Sequence, residues 1–199
     1  MNSDEIICNI DKSGSMGAIA SDAVGGFNTF LEGIRTEDKD GLFTLILFNQ
    51  GYEIVHHSSP LEDIKPLDMH TYRPGGLTAL HDAVGITLSK AIASYKGKIE
   101  SVKPSGVTVA ILTDGLENAS QKFDSKQAAA LIDEAREQYG WEFVFLAANQ
   151  DALLTARGLN IPSYDAANFK ASNDGIRLAM HDMTFHVGRH RDMQKKRHS

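Results

Sequence analysis

Short, continuously apolar runs rich in β-formers, separated by stretches of helical periodicity, limit most strongly what this chain can fold into. "EIICNI" (5–10), "LFTLILF" (42–48), "GVTVAILTDG" (106–115) and "WEFVFLAA" (141–148) read as strands. They show little apolar–polar alternation, which is the pattern of strands covered on both faces. Between the first two, Ile19, Ala23, Val24, Phe27, Phe30, Leu31 and Ile34 recur at helical spacing. Gly25 and Gly26 fall inside that helix. Each costs about 1 kcal/mol there relative to Ala, so close packing against the sheet is the expected reason for them.

A second helix is expected over roughly 79–96, with Leu80, Ala83, Val84, Thr87, Leu88 and Ala91 on one side. Asp124 and Gln127 resemble a capping box opening a third helix, with Leu131, Ile132 and Ala135 facing inward. A short helix over 150–157, a last short strand around 160–165 and a C-terminal helix over 174–190 complete the reading. "GYEIVHH" follows the second strand after only Asn49 and Gln50. That is too soon for a crossover, so it must return antiparallel as a hairpin.

Strand–helix alternation of this kind predicts an α/β fold. The sheet is expected to be doubly wound and mostly parallel, Rossmann-like, with one antiparallel edge strand and helices on both faces. A chain of 199 residues fits one domain, placed at 1–190, followed by a basic C-terminal tail at 191–199. Residues 189–199 carry five basic side chains and one acid, so the rest of the chain sums to −10 against a total of −6. An acidic body argues against nucleic-acid binding through the domain face. No apolar run is long enough to span a membrane. The first strand begins near Glu5, leaving no room for a secretory signal in this sequence. The single cysteine, Cys8, lies within that strand and cannot form an intrachain disulfide. The expected setting is therefore reducing and cytoplasmic.

In doubly wound sheets ligands sit beyond the carboxyl ends of the strands, which directs attention to the residues just after each one. After the first strand come Asp11, Ser13 and Ser15 in "IDKSGSM". After the strand at 106–113 comes Asp114, and at the start of the second helix comes Thr78, preceded by Gly75 and Gly76. Two carboxylates and three hydroxyls make a donor set of hard oxygens. It suits Mg²⁺, with Mn²⁺ or Ca²⁺ as substitutes, and lacks the nitrogen and sulfur that zinc and copper favour. Two carboxylates just neutralise a divalent cation, and neutral hydroxyls leave it electron-poor. Such an ion has room for one more anionic oxygen, an Asp or Glu from a protein partner.

These segments resemble the metal-ion-dependent adhesion site of the von Willebrand factor A (vWA) domain family. The resemblance rests on Asp-x-Ser-x-Ser at 11–15, Thr78 in "GGLTAL" and Asp114 in "ILTDG". "DAVGGFNTFLE" and "TDGLENAS" are further similar to small stand-alone A domains of bacteria and phages. The resemblance spans roughly residues 4–190. It implies that Ser13 and Ser15 bind the metal directly, and that Thr78 binds directly in one state and through water in another. It also implies that Asp11 and Asp114 act mostly through waters or serine hydroxyls. The family is usually non-enzymatic and binds proteins, and stand-alone members often work beside ATPases. The expectation is a Mg²⁺-dependent protein-binding domain rather than an enzyme, the alternative being a scaffold in which the metal is structural. A phosphatase or phosphotransferase of the haloacid dehalogenase type also places an aspartate after its first strand. It needs a second acid two residues on, and that position is Ser13.

Other polar residues near these ends carry structural readings as readily. Asp82, four residues after Thr78 on the same helix face, fits either an orienting role at the site or the electrostatics of the second helix's first turn. Glu117 and Asn118 fit either a rim or an ordinary loop, and Asn149 and Asp151 either the same face or a helix cap. His56 and His57 are adjacent on a strand and point to opposite faces. His181, His186 and His190 lie on the last helix without a second ligand set and read as surface residues.

Overall fold

The computed structural model of the chain describes residues 3–37, 40–148, 152–170 and 172–197. Six strands form one sheet: β1 (Glu5–Asp11), β2 (Leu42–Phe48), β3 (Tyr52–Pro60), β4 (Val107–Thr113), β5 (Glu142–Ala148) and β6 (Ala166–Phe169). Their order is β3-β2-β1-β4-β5-β6. β1 pairs parallel with both β2 and β4, β4 with β5, and β5 with β6, while β3 runs antiparallel to β2 as the edge of a hairpin. Every residue of β1 and of β4 is buried, which accounts for their lack of apolar–polar alternation.

Among the described residues five α-helices cover the sheet: α1 (Ala20–Glu37), α2 (Leu80–Gly97), α3 (Ser125–Tyr139), α4 (Ala152–Gly158) and α5 (Asn173–Arg197). One core cluster joins Ile6, Cys8 and Ile10 to Phe27, Leu31, Met180 and Val187. On the opposite face Ile7, Ile46 and Ile111 meet Val84, Leu88, Ile132 and Trp141. Alternate residues of one strand thus feed two separate cores, one on each face of the sheet. Among the described residues no helix is long and apolar enough to cross a membrane.

The predicted order of elements is found, with four local differences. A 3₁₀ turn, Gly14–Ile19, separates β1 from α1. Gly26 approaches α5 and not the sheet: a β-carbon there would lie 2.9 Å from Met180 Cγ, while Gly25 has nothing within 4 Å. The last strand falls at Ala166–Phe169, after a 3₁₀ turn at Ser163–Asp165 that occupies part of the segment expected to be a strand. The C-terminal helix continues to Arg197, so most of the predicted tail prolongs α5. The capping box of α3 is present as read, with Asp124 accepting from the Gln127 N–H and the Gln127 side chain accepting from the Asp124 N–H.

Strand order reverses between β1 and β4. The chain leaves β1 to build toward β2 and β3, and later returns to β4 and builds toward β6. Ligands in doubly wound sheets lie at such a switch point, and Asp11 and Asp114 stand at its two lips.

Candidate metal centre

Asp11 is the last residue of β1 and is fully buried. Both of its carboxylate oxygens are engaged: Oδ1 accepts from the Ser13 backbone N–H at 2.6 Å, and Oδ2 from the Thr113 hydroxyl at 2.6 Å. Its carbonyl accepts from the Tyr72 hydroxyl at 2.6 Å. The bond to Ser13, two residues on, is the local turn that aspartate side chains favour. It folds the chain back sharply and aims the next hydroxyls across the strand ends. Ser13 Oγ then lies 3.1 Å from Ser15 Oγ, and Ser15 Oγ donates to Asp114 Oδ1 at 2.6 Å.

Thr78 arrives from the other side, buried just before α2. Its backbone N–H donates to Asn118 Oδ1 at 2.9 Å, and its carbonyl accepts from the N–H groups of Asn118 and Ala119 at 3.0 and 3.1 Å. Gly115 brings the three loops to a common point. A β-carbon on Gly115 would lie 2.5 Å from Thr78 Oγ1 and 3.4 Å from both Ser13 Oγ and Ser15 Oγ. Three hydroxyls from two distant segments, Ser13 and Ser15 from one and Thr78 from the other, therefore face one small space that only a glycine at 115 leaves open. Asp114 borders it through its bond to Ser15, and Asp11 stands behind it, holding Ser13 in place. Ser13, Thr78 and Asp114 are buried, whereas Ser15 is exposed and forms the solvent side.

Burial pushes the Asp11 carboxyl above the usual range, opposed in part by its hydrogen bonds from Thr113 and Ser13 and assisted by the nearby charge of Asp114. Burial likewise raises Asp114, against the hydrogen bond from Ser15. Tyr72 is raised by burial and by both carboxylates. Two desolvated carboxylates beside three hydroxyls form a locally negative, oxygen-only pocket, which is the environment a hard divalent cation stabilises. Among the described residues no group of three or more His, Cys, Asp or Glu side chains is arranged to hold a metal. A cation here would rely on hydroxyl oxygens for most of its protein ligands.

The loops are fastened to one another directly. Gly14 N–H donates to the Gly76 carbonyl at 3.0 Å, and Gly75 N–H to the Lys12 carbonyl at 2.8 Å. The β2–β3 turn supports them from outside: Asn49 Nδ2 donates to the Gly75 carbonyl at 2.8 Å, and Gln50 Oε1 accepts from the Leu77 N–H at 2.7 Å. Gly76 has φ of +79°, a conformation that only glycine adopts easily.

The two acids left undecided by sequence are both turned inward. Asp82 accepts from the N–H groups of Gln121, Lys122 and Phe123 at 3.0, 2.8 and 2.8 Å. Glu117 accepts from the N–H groups of His81, Ala119 and Ser120 and from the Ser120 hydroxyl. In each case burial raises the carboxyl and the N–H donors together outweigh it, leaving it below its ordinary value. Both residues bind the 114–123 loop to the start of α2. Asn118 fixes Thr78. Asn149 and Asp151 lie outside the described residues. His56 is lowered by burial and by Lys65 and has no metal-ligating neighbour set among the described residues.

Sequence reasoning missed Tyr72, Thr113, Asn49 and Gln50. Thr113 left a signal, as the polar final residue of an apolar strand. Tyr72 left none, because its target is a backbone carbonyl remote in sequence.

No family model matches the chain, and no curated protein matches it. Solved structures do. The mussel byssus proximal thread matrix protein 1, in a form described as having a zinc-occupied MIDAS motif, is 14% identical with a TM-score of 0.64 over 90% of this chain and 46% of that one. A von Willebrand factor type A structure from Catenulispora acidiphila is 14% identical, with a TM-score of 0.61 over 92% of this chain and 42% of that one. The manganese-loaded TRAP protein of Plasmodium vivax is 14% identical, with a TM-score of 0.60 over 89% and 72%. The chain spans less than half the length of the first two.

Proposed function

Taking as premise that this chain is a vWA-like domain, with the fold of the structures it resembles, we propose that it is a cation-dependent protein-binding module. In this reading Ser13, Ser15 and Thr78 hold a divalent metal directly, and Asp11 and Asp114 support it from behind. The convergence of three hydroxyls on the space kept open by Gly115 carries the proposal. The bound ion supplies a Lewis-acidic point with too little negative charge around it, and a partner's Asp or Glu completes it. Mg²⁺ is the ion favoured by hard oxygen donors. The mussel protein's zinc and the Plasmodium protein's manganese belong to those proteins, so the donor set alone does not reserve the site for one metal.

The recognition role is favoured over a purely structural one by the hydrogen bonds that already join the loops, Gly14 to Gly76, Gly75 to Lys12 and Ser15 to Asp114. The fold has its own means of bringing these segments together. A phosphotransfer role is disfavoured because both Asp11 oxygens are engaged by Ser13 and Thr113 and the next acid position is a serine. The reading extends to a reducing compartment, which suits a buried lone thiol at Cys8, and to association with an ATPase system, which rests on resemblance.

Affinity capture tests the proposal. A partner retained in Mg²⁺ should elute in EDTA and should be lost with Asp11→Ala, while circular dichroism reports an intact fold. A partner that stays bound through EDTA overturns it.

A further inference from the structure

Beside the metal centre a groove of about 780 Å³ runs along α2. One end is Leu77 and Asn118, which flank Thr78, and the other is Lys90. The β2–β3 turn, Gln50 to Tyr52, forms one wall and residues 118–122 the other. Ala79, Ala83, Ile86 and Lys90 follow one another at helical spacing and make the floor. Ala79 and Ala83 are buried, so the floor is shallow near the metal centre, offers its apolar surface at Ile86 and ends at a positive charge.

Two lysines against one acid give the groove a net positive lining, although Lys122 also faces the charge of Asp82. Asp82 is the only acid among its described lining residues, and its carboxylate is turned onto three backbone N–H groups. Lys90 and Lys122 are exposed. Lys90 lies 5.0 Å over the Tyr52 ring, and neither lysine forms a salt bridge among the described residues. This positive lining stands out on a body whose net charge is strongly negative.

The geometry points to an acidic, extended peptide segment as the occupant of this groove. Resting on the metal-centre reading, the proposal specifies the partner. One acid meets the cation, small apolar residues lie on the α2 floor, and a second acid reaches Lys90 and Lys122. From Leu80, two residues after Thr78, to Lys90 the path along α2 is about 15 Å at a helical rise of about 1.5 Å per residue. An extended strand covers that distance in about five residues, so the two acids stand about five positions apart.

Two fluorescein-labelled peptides test this by anisotropy against the full chain in Mg²⁺. One carries two aspartates about five positions apart across alanine and valine, and the other has the second aspartate replaced by asparagine. The di-acid should bind about tenfold more tightly, a difference of about 1.4 kcal/mol. Lys90→Glu with Lys122→Glu should reduce it to the level of the mono-acid, while Lys126→Glu, on the exposed side of α3, should leave it unchanged. Terbium luminescence in the double variant should match the parent, separating the groove from the metal centre. Equal binding of the two peptides, or no binding of either, overturns the groove proposal. Di-acid binding that persists in EDTA but falls with the lysine reversals supports the groove and overturns the metal-centre reading.

Discussion

At the scale of single residues, the centre depends on atoms that are missing as much as on those present. Gly115→Ala adds one methyl group 2.5 Å from Thr78 Oγ1 and into the space faced by Ser13 and Ser15. Terbium or Mn²⁺ titration should show cation affinity falling by more than about tenfold, with the far-ultraviolet spectrum unchanged. Asp82 makes a different kind of prediction. Its folded-state carboxyl is held below its ordinary value, so the ionised side chain stabilises the fold above the unfolded value of about 3.9. That stabilisation is lost as pH falls through the lower, folded value. Asp82→Asn should therefore melt below the parent at pH 7, and the gap should narrow as the pH drops under about 4. A gap that is constant across pH would contradict the assignment. Asp11 and Asp114 were singled out by their place at strand ends, Ser13 and Ser15 by their spacing from Asp11, and Thr78 by its place before the second helix; the structure brings the three hydroxyls together around Gly115. Tyr72 was not singled out, because a phenol that buttresses a remote carbonyl leaves no local pattern.

Among elements, what was legible followed the range of the interaction. The capping box of α3 is a four-residue device, so Asp124 and Gln127 alone announced it, and both of its hydrogen bonds are present. The contact between α1 and α5 joins segments far apart in sequence, so the glycines of α1 announced close packing but the partner read for them, the sheet, was the wrong one. Gly26 meets Met180 of α5. Gly26→Leu should destabilise the domain by about 1–3 kcal/mol, the usual cost of overpacking, measured as a lower urea midpoint at unchanged slope. An unchanged midpoint would mean that α5 is not held against α1 in this way. The position of β6 was misjudged because a short edge strand carries little periodicity, and the turn at Ser163–Asp165 displaced it by several residues.

For the whole molecule, the candidate centre lies at the switch in strand order, at the end of the sheet where three loops meet. A cation that binds only the folded state stabilises it by mass action, about 2.7 kcal/mol at a hundredfold excess over Kd. For a chain of this size that is about 5–10 °C in Tm. Calorimetry with Mg²⁺ against EDTA should show the rise in the parent and a rise no more than about half as large in Gly115→Ala. A rise of equal size in both would place the ion elsewhere. The overall α/β plan was legible because a sheet buried on both faces imprints its strands strongly, whereas the close fit of loop to loop is written only in three dimensions.

The bonds from Gly14 to Gly76 and Gly75 to Lys12, with the Asn49 and Gln50 props, have a consequence for kinetics. Segments fixed during folding lose little freedom when a guest arrives, and partners that need no rearrangement meet as nearly rigid bodies. Encounter should therefore be limited by diffusion and orientation, with residence time governed by how strongly the guest's acid grips the ion.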